Sequence, residues 1–169
     1  MRILGIDPGL ATIGIGVVEA ESVHKIQALE WLTIETAAGL STAERLQEIH
    51  RDLQEFLLTC RPDLAVVERL FFQTNVKTAM DVAQARGVIL LTLAEHGIAV
   101  IEPSPLQLKS AITGDGKADK RQVQDMLVRM LSLSEIPKPD DAADALALAV
   151  YGAVVQAPGI VVADSKRAR

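Results

Sequence analysis

The sequence predicts an α/β fold built on one mixed five-stranded sheet, three strands antiparallel and two parallel, flanked by helices. Three observations carry this reading. Three strand-like runs lie close together at the start of the chain. Two short, wholly apolar runs follow later, each after a helical segment. The remaining chain carries helical periodicity. Short connections favour antiparallel pairing, whereas a strand reached through a helix favours a parallel one.

The first three strands are expected at residues 2–6, 12–19 and about 27–36, parted by Pro8-Gly9 and by the polar Glu21-Ser22. An amphipathic helix follows over 41–60. Leu46, Ile49, Leu53, Phe56, Leu57 and Cys60 recur at helical spacing there, and Arg61-Pro62 ends it. The runs 64–67 and 98–101 read as strands buried on both faces. Between them, 75–96 reads as a long helix with two apolar stripes. Val76, Met80, Ala83, Leu90 and Leu91 form one, and Ala79, Val82, Ile89 and Leu93 the other. A surface helix needs a single stripe, so a second implies deep burial or a subunit interface. A short helix over 105–113, a flexible loop at Gly114-Asp115-Gly116 and a helix over 120–131 come next. The last helix is expected over 140–151. From about Gln156 the chain reads as a flexible basic tail ending Lys166-Arg167-Ala168-Arg169. The predicted organisation is one domain over 1–155 and a tail over 156–169.

The bulk numbers narrow the function classes. The chain has 169 residues, of which 49% are apolar, enough for one domain with a substantial core. Three Phe, one Trp and one Tyr leave that core to aliphatic side chains and Ala. Cys60 stands alone, so no internal disulfide forms, and a reducing compartment is expected. On an apolar stripe such a Cys is a packing residue before it is a nucleophile. The first residues lack the basic region and long apolar core of a secretory leader, so a cytoplasmic location is expected. Residues 145–163 are apolar enough to raise a membrane span. Gln156, Pro158-Gly159, the Ala content and the bordering Asp144 and Asp164 argue against it. A net charge of −5 disfavours coating nucleic acid by bulk charge, yet leaves room for a local basic groove.

Four carboxylates carry the chemistry. Asp7 ends the apolar run Ile3-Leu4-Gly5-Ile6, and Glu68 ends Leu64-Ala65-Val66-Val67. Asp141 and Asp144 open the Ala- and Leu-rich last helix, three residues apart and so near one face. Singly, each has a plain structural role. Asp7-Pro8-Gly9 is turn chemistry, Glu68 has Arg69 beside it, and Asp140 or Asp141 suits a helix start. Together they place several costly acids at the ends of buried elements. Hard oxygen ligands from separate elements are how proteins hold Mg²⁺ or Mn²⁺.

GIDPG at 5–9, VER at 67–69, QARG at 84–87 and DAADALA at 141–147 resemble the bacterial RuvC-type Holliday-junction resolvases. The resemblance runs from about residue 2 to 152, with the motifs in that family's order and close to its spacing. It implies an RNase H-like fold and a homodimer that nicks four-way DNA junctions in recombination and repair. It further implies a catalytic metal site of Asp7, Glu68, Asp141 and Asp144. Two Mg²⁺ ions would sit there, with Mn²⁺ as a substitute. Asp7 would bridge them, Glu68 would complete one site, and Asp144 with Asp141 would hold the other. Paired symmetric nicks leaving 5′-phosphate and 3′-hydroxyl ends would follow. Asp140 lies outside the matched motif and is assigned as a helix cap. The family usually works with a RuvA/RuvB-type branch-migration complex, so such a partner is implied.

Nucleic-acid contacts need cations and stacking surfaces. Lys109, Lys117, Lys120 and Arg121 flank the 114–116 loop. Lys109 and Lys120 align with family lysines that handle DNA, while Lys117 and Arg121 read more plainly as solvated helix positions. Phe71 and Phe72 follow Glu68, and base stacking on an aromatic contributes about 1–3 kcal/mol. Phe71 aligns with the family's stacking aromatic. Lys77 and Arg86 on the following helix are candidate phosphate contacts. His24, His50 and His96 fall away from the motifs and read as structural or surface residues.

Other classes remain in view. GIDPG with Gly14 and Gly16 also resembles the first phosphate loop of sugar kinases and actin-like ATPases, which need two such domains. A non-enzymatic junction binder would not need all four acids. An RNase H-like nuclease on another substrate, such as an RNA–DNA hybrid, fits composition equally well.

Overall fold

The computed structural model describes residues 1–69 and 76–156, without the side chains of 76–78. Phe71, Phe72 and residues 157–169 lie outside the described residues, as does the side chain of Lys77.

The elements run β1 (Arg2–Asp7), β2 (Thr12–Ser22), β3 (Lys25–Glu35), α1 (Thr42–Cys60), β4 (Leu64–Val67), α2 (Val76–Glu95), β5 (Ala99–Ile101), α3 (Pro105–Thr113), α4 (Lys120–Leu131) and α5 (Asp140–Gln156). The sheet order is β3-β2-β1-β4-β5. β1, β2 and β3 pair antiparallel, while β1–β4 and β4–β5 pair parallel. This is the predicted mixed sheet, and it is an RNase H-like arrangement.

Alternation along the strands divides the core in two. On one face Leu4, Ile6, Ile13, Ile15, Ala65 and Val67 pack against Ile49, Leu53 and Leu57 of α1 and Ala85, Ile89 and Leu93 of α2. On the other, Ile3, Val18, Leu64 and Val66 pack against Leu127 of α4 and Leu146, Leu148 and Val150 of α5. The molecule is therefore three layers, with α1 and α2 on one side of the sheet and α3, α4 and α5 on the other.

Local chemistry fixes the helix ends. Ser41 and Glu44 form a capping box on α1, as do Ser104 and Gln107 on α3 and Asp119 and Gln122 on α4. The close approach of α5 is set by the sheet beneath it. A Cβ on Gly14 would collide with the Asp141 carbonyl, and one on Gly5 with the Ala145 carbonyl. The glycines of β1 and β2 thus seat a helix rather than cradle a phosphate.

Several expectations are corrected. β5 is not buried on both faces. It is an edge strand, so Ala99 is exposed and Val100 and Ile101 are only half-buried. The β2–β3 turn falls at Val23-His24, beyond Glu21-Ser22, because both strands run further than their apolar residues. α5 continues past Tyr151 to Gln156. Residues 114–116 form a hydrogen-bonded turn. Gly114 caps α3 with φ +81°, Thr113 Oγ1 accepts from the Asp115 amide at 3.1 Å, and Asp115 Oδ1 accepts from the Lys117 amide at 2.8 Å. Leu90 and Leu91 do not share a face. Leu90 packs inward, whereas Leu91 is 55% exposed.

Among the described residues no helix is long and apolar enough to cross a membrane. His50 Nδ1 meets Thr92 Oγ1 at 2.9 Å, joining α1 to α2, and His96 Nδ1 meets the Thr92 carbonyl. His50 therefore serves α1–α2 packing, whereas His96 closes the carboxyl end of α2. Cys60 is half-buried, and burial pushes its thiol up to about 11, as expected of a packing residue.

Candidate active site

The sheet register brings the first two acids together. Ile3 pairs with Leu64, Gly5 with Val66 and Ile6 with Val67. One step further, Asp7 and Glu68 stand side by side at the carboxyl ends of adjacent parallel strands. Each lies an even number of residues beyond Ile3 or Leu64, which face α5, so both project to the α5 side. Pro8 cannot continue the ladder, so the strand ends at the acid.

α5 delivers the second pair. Its amino-terminal turn lies over Gly14, which is the register partner of Asp7. Asp140 and Asp141 occupy that first turn, where the helix dipole favours negative charge. Asp144 follows on the next turn. Asp7, Glu68 and Asp144 line one cavity of about 200 Å³ together with Lys109, Lys120, Pro105, Leu108 and Val123. Asp141 is half-buried beside this cavity and acts on Asp7 through its charge.

The electrostatics are strained in one direction. Burial, then repulsion from Glu68, Asp144 and Asp141, pushes the Asp7 carboxyl up to about 7. Burial and Asp144 raise Glu68. Burial raises Asp144 as well, against the opposing pull of Lys120. Lys120 Nζ donates to Asp144 Oδ2 and Asp140 Oδ2, both at 3.1 Å. Burial would lower this ammonium, but its two carboxylate partners outweigh burial and raise it.

Asp140 is thus not the cap expected of it. It is the first helical residue, and its side chain is turned to Lys120. Among the described residues, no three acidic, histidine or cysteine side chains gather closely enough to ligate one ion. The acids share a cavity but stand apart, as mutually repelling carboxylates do, with Lys120 against one of them. The donor set fits a hard divalent cation. It is all oxygen, it comes from three elements, and it carries uncompensated negative charge in a partly desolvated place.

The remaining predicted contacts separate. Lys109 and Lys120 line the acidic cavity. Lys117 is exposed and outside its lining, and Arg121 pairs with Asp125 at 3.0 Å. Arg86 does not face outward. Its side chain is 17% exposed, and its guanidinium engages the Glu68 carbonyl and the Glu102 carboxylate. Sequence reasoning missed Glu102. It also missed the Lys120–Asp140 pair, because the two are twenty residues apart and meet only when α4 and α5 pack.

An RNase H-like sheet with acids at the ends of its two central parallel strands, answered by acids on a helix laid across them, defines a metal-dependent nuclease. The crossover junction endodeoxyribonuclease RuvC family matches residues 3–152. A crossover junction endodeoxyribonuclease RuvC from Heliobacterium modesticaldum is 51% identical over 150 residues, covering 89% of this chain and 92% of that one. The Thermus thermophilus RuvC structure superposes with a TM-score of 0.85 at 36% identity, over 92% of this chain and 95% of that one. A second structure, described as T. thermophilus RuvC in complex with Holliday junction substrate, gives 0.84 at 36% identity, over 89% and 92%. This chain belongs to the RuvC family of crossover junction endodeoxyribonucleases.

Proposed function

We propose that the chain binds four-way DNA junctions and resolves them by paired symmetric nicks, in recombination and repair, through Asp7, Glu68, Asp141 and Asp144. The observation that carries this is a single cavity in which Asp7, Glu68 and Asp144 meet Lys109 and Lys120. Acids alone would repel a phosphodiester, and lysines alone would not activate water.

Each side chain has a task. Asp7, Glu68, Asp141 and Asp144 would hold the divalent ions, Asp7 being the acid on which the charges of the other three converge. Divalent ions held there, Mg²⁺ with Mn²⁺ as substitute, supply a lowered pKa for the attacking water and charge stabilisation for the departing 3′ oxygen. Lys109 and Lys120 offer ammonium groups to the phosphate at the same mouth. Phe71 and Phe72, which follow Glu68 in sequence, remain the stacking candidates, with Lys77 and Lys117 as outlying phosphate contacts.

The unit of action is a homodimer. A four-way junction has two-fold symmetry, and two symmetric nicks need two sites in a C₂ pair. α2 supports this. Met80 and Leu91 are 57% and 55% exposed, and Gln84 and Gly87 between them complete a stripe at helical spacing. Residues 1–155 act as the nuclease domain, in the cytoplasm, with a RuvA/RuvB-type complex delivering the junction.

The test offers the protein a labelled mobile four-way junction, a matching linear duplex and an RNA–DNA hybrid, with Mg²⁺, Mn²⁺ or chelator. Paired, ligatable, metal-dependent nicks confined to the junction are expected. Cleavage of the hybrid or of the plain duplex at the same rate would overturn the substrate.

A further inference from the structure

The Glu68 carbonyl lies just past the last β1–β4 pair, Ile6 with Val67, and past the last β4–β5 pair, Val66 with Ile101. A backbone leaving a sheet there needs a new partner. Arg86, halfway along α2, supplies it. Its Nε–H donates to the Glu68 carbonyl oxygen at 2.9 Å. Its second arm donates to the carboxylate of Glu102, the residue that follows β5. The adjoining Arg69 amide donates to the Pro103 carbonyl at 3.0 Å. The segments leaving β4 and β5 are therefore tied to each other and to α2. Arg86 is mostly buried, and its neighbour Ala85 is fully buried in the α1–α2 core. A planar guanidinium suits this place, because it presents donors in two fixed directions where an ammonium offers one point of charge.

The Glu68 carboxylate hangs from that backbone on two methylenes. Resting on the site reading above, we infer that Arg86 is a positioning residue. It fixes the Glu68 backbone so that the carboxylate faces Asp7, Glu102 holds it in that orientation, and it does not contact DNA phosphate. Groups that orient ligands from behind typically contribute about 10–100-fold in metal affinity or activity.

Arg86→Lys and Glu102→Gln test this through two readouts. The first is Mn²⁺ binding to the DNA-free protein, followed by the paramagnetic resonance signal of the free ion. The second is junction nicking, resolved into kcat and KM. Both variants are expected to bind Mn²⁺ about tenfold or more weakly and to lose kcat. Junction affinity in chelator and its salt dependence should match the parent. Wild-type Mn²⁺ affinity in both variants would overturn the inference. So would weaker junction binding by Arg86→Gln, which removes the charge, with a salt slope shallower by about 0.9, the mark of a lost phosphate contact. Thermal melting confirms that each variant is folded. If Arg86→Lys fails to fold, Glu102→Gln carries the test, since Glu102 is partly exposed and lies outside the acidic cavity. The Mn²⁺ readout needs no nuclease activity, so a parent that binds Mn²⁺ but does not nick junctions overturns the proposed function and leaves this inference standing or falling by itself.

Discussion

The two faces of the sheet are built from the same strands and both bury apolar core, yet only one of them carries the acids. Toward α1 and α2, Leu4, Ile6 and Val67 join an apolar cluster, and the buried Thr92 is satisfied by His50 and the Val88 carbonyl. Toward α5, the same strands end in Asp7 and Glu68, and burial raises both carboxyls. Both faces carry apolar core, but only the α5 face also keeps acids in a place that disfavours their charge. Stability and chemistry are separated by a single step in strand alternation, so substitutions one residue apart should have unrelated consequences.

The largest effect tests the chemical face. Asp7→Asn should take junction nicking to background while junction binding persists in a filter or gel assay. Strong residual nicking would end the assignment. The same variant should not be less stable than the parent in chelator, because it removes a repelled, buried charge.

The next effect is a pH slope. The Asp7 carboxyl titrates near 7 in the folded chain and near 3.8 when unfolded. A raised acid favours folding while it is protonated. Its contribution is therefore complete below about 4 and is lost as pH rises through 7, by on the order of 4 kcal/mol at most. Glu68 and Asp144 have the same sign. Urea melts in chelator from pH 5 to 8 should show stability falling, with a shallower fall in Asp7→Asn and in saturating Mg²⁺. A flat profile in the parent would break the contrast between the faces.

Leu53→Ala probes the opposite face. Leu53 is 1% exposed beneath α1, and its truncation should destabilise by about 2–5 kcal/mol. Nicking per folded molecule should hold at permissive temperature. Gly14→Ala blurs the division on purpose. Its methyl would press on the Asp141 carbonyl and lift α5, costing about 1–3 kcal/mol and reducing nicking as well. If it lowers stability alone, the seating of α5 does not set the site.

Much of this was legible in the sequence, for identifiable reasons. β1 and β4 announce themselves because a strand buried on both faces is continuously apolar, and an acid after it stands out. α1 is legible through its single stripe. The run 98–101 reads as a central strand because a short apolar run looks alike at the centre and the edge of a sheet; only pairing order tells them apart. Arg86 reads as a phosphate contact because a cation near a nuclease motif invites that reading. Its partners, Glu102 and a backbone carbonyl, carry no sequence signal. Asp140 reads as a cap because nothing in the chain reveals that Lys120 folds against it.

The β2–β3 hairpin has a practical use. Asp7 pairs with Gly14 at one end of β2, and the Val23-His24 turn lies past the other, about 30 Å away along the strand. His24 is exposed there. A dye or a short peptide tag at that tip would ride on a rigid arm, clear of the acids and of α2. Fluorescence from such a handle would report when the protein arrives on a single junction and when it leaves.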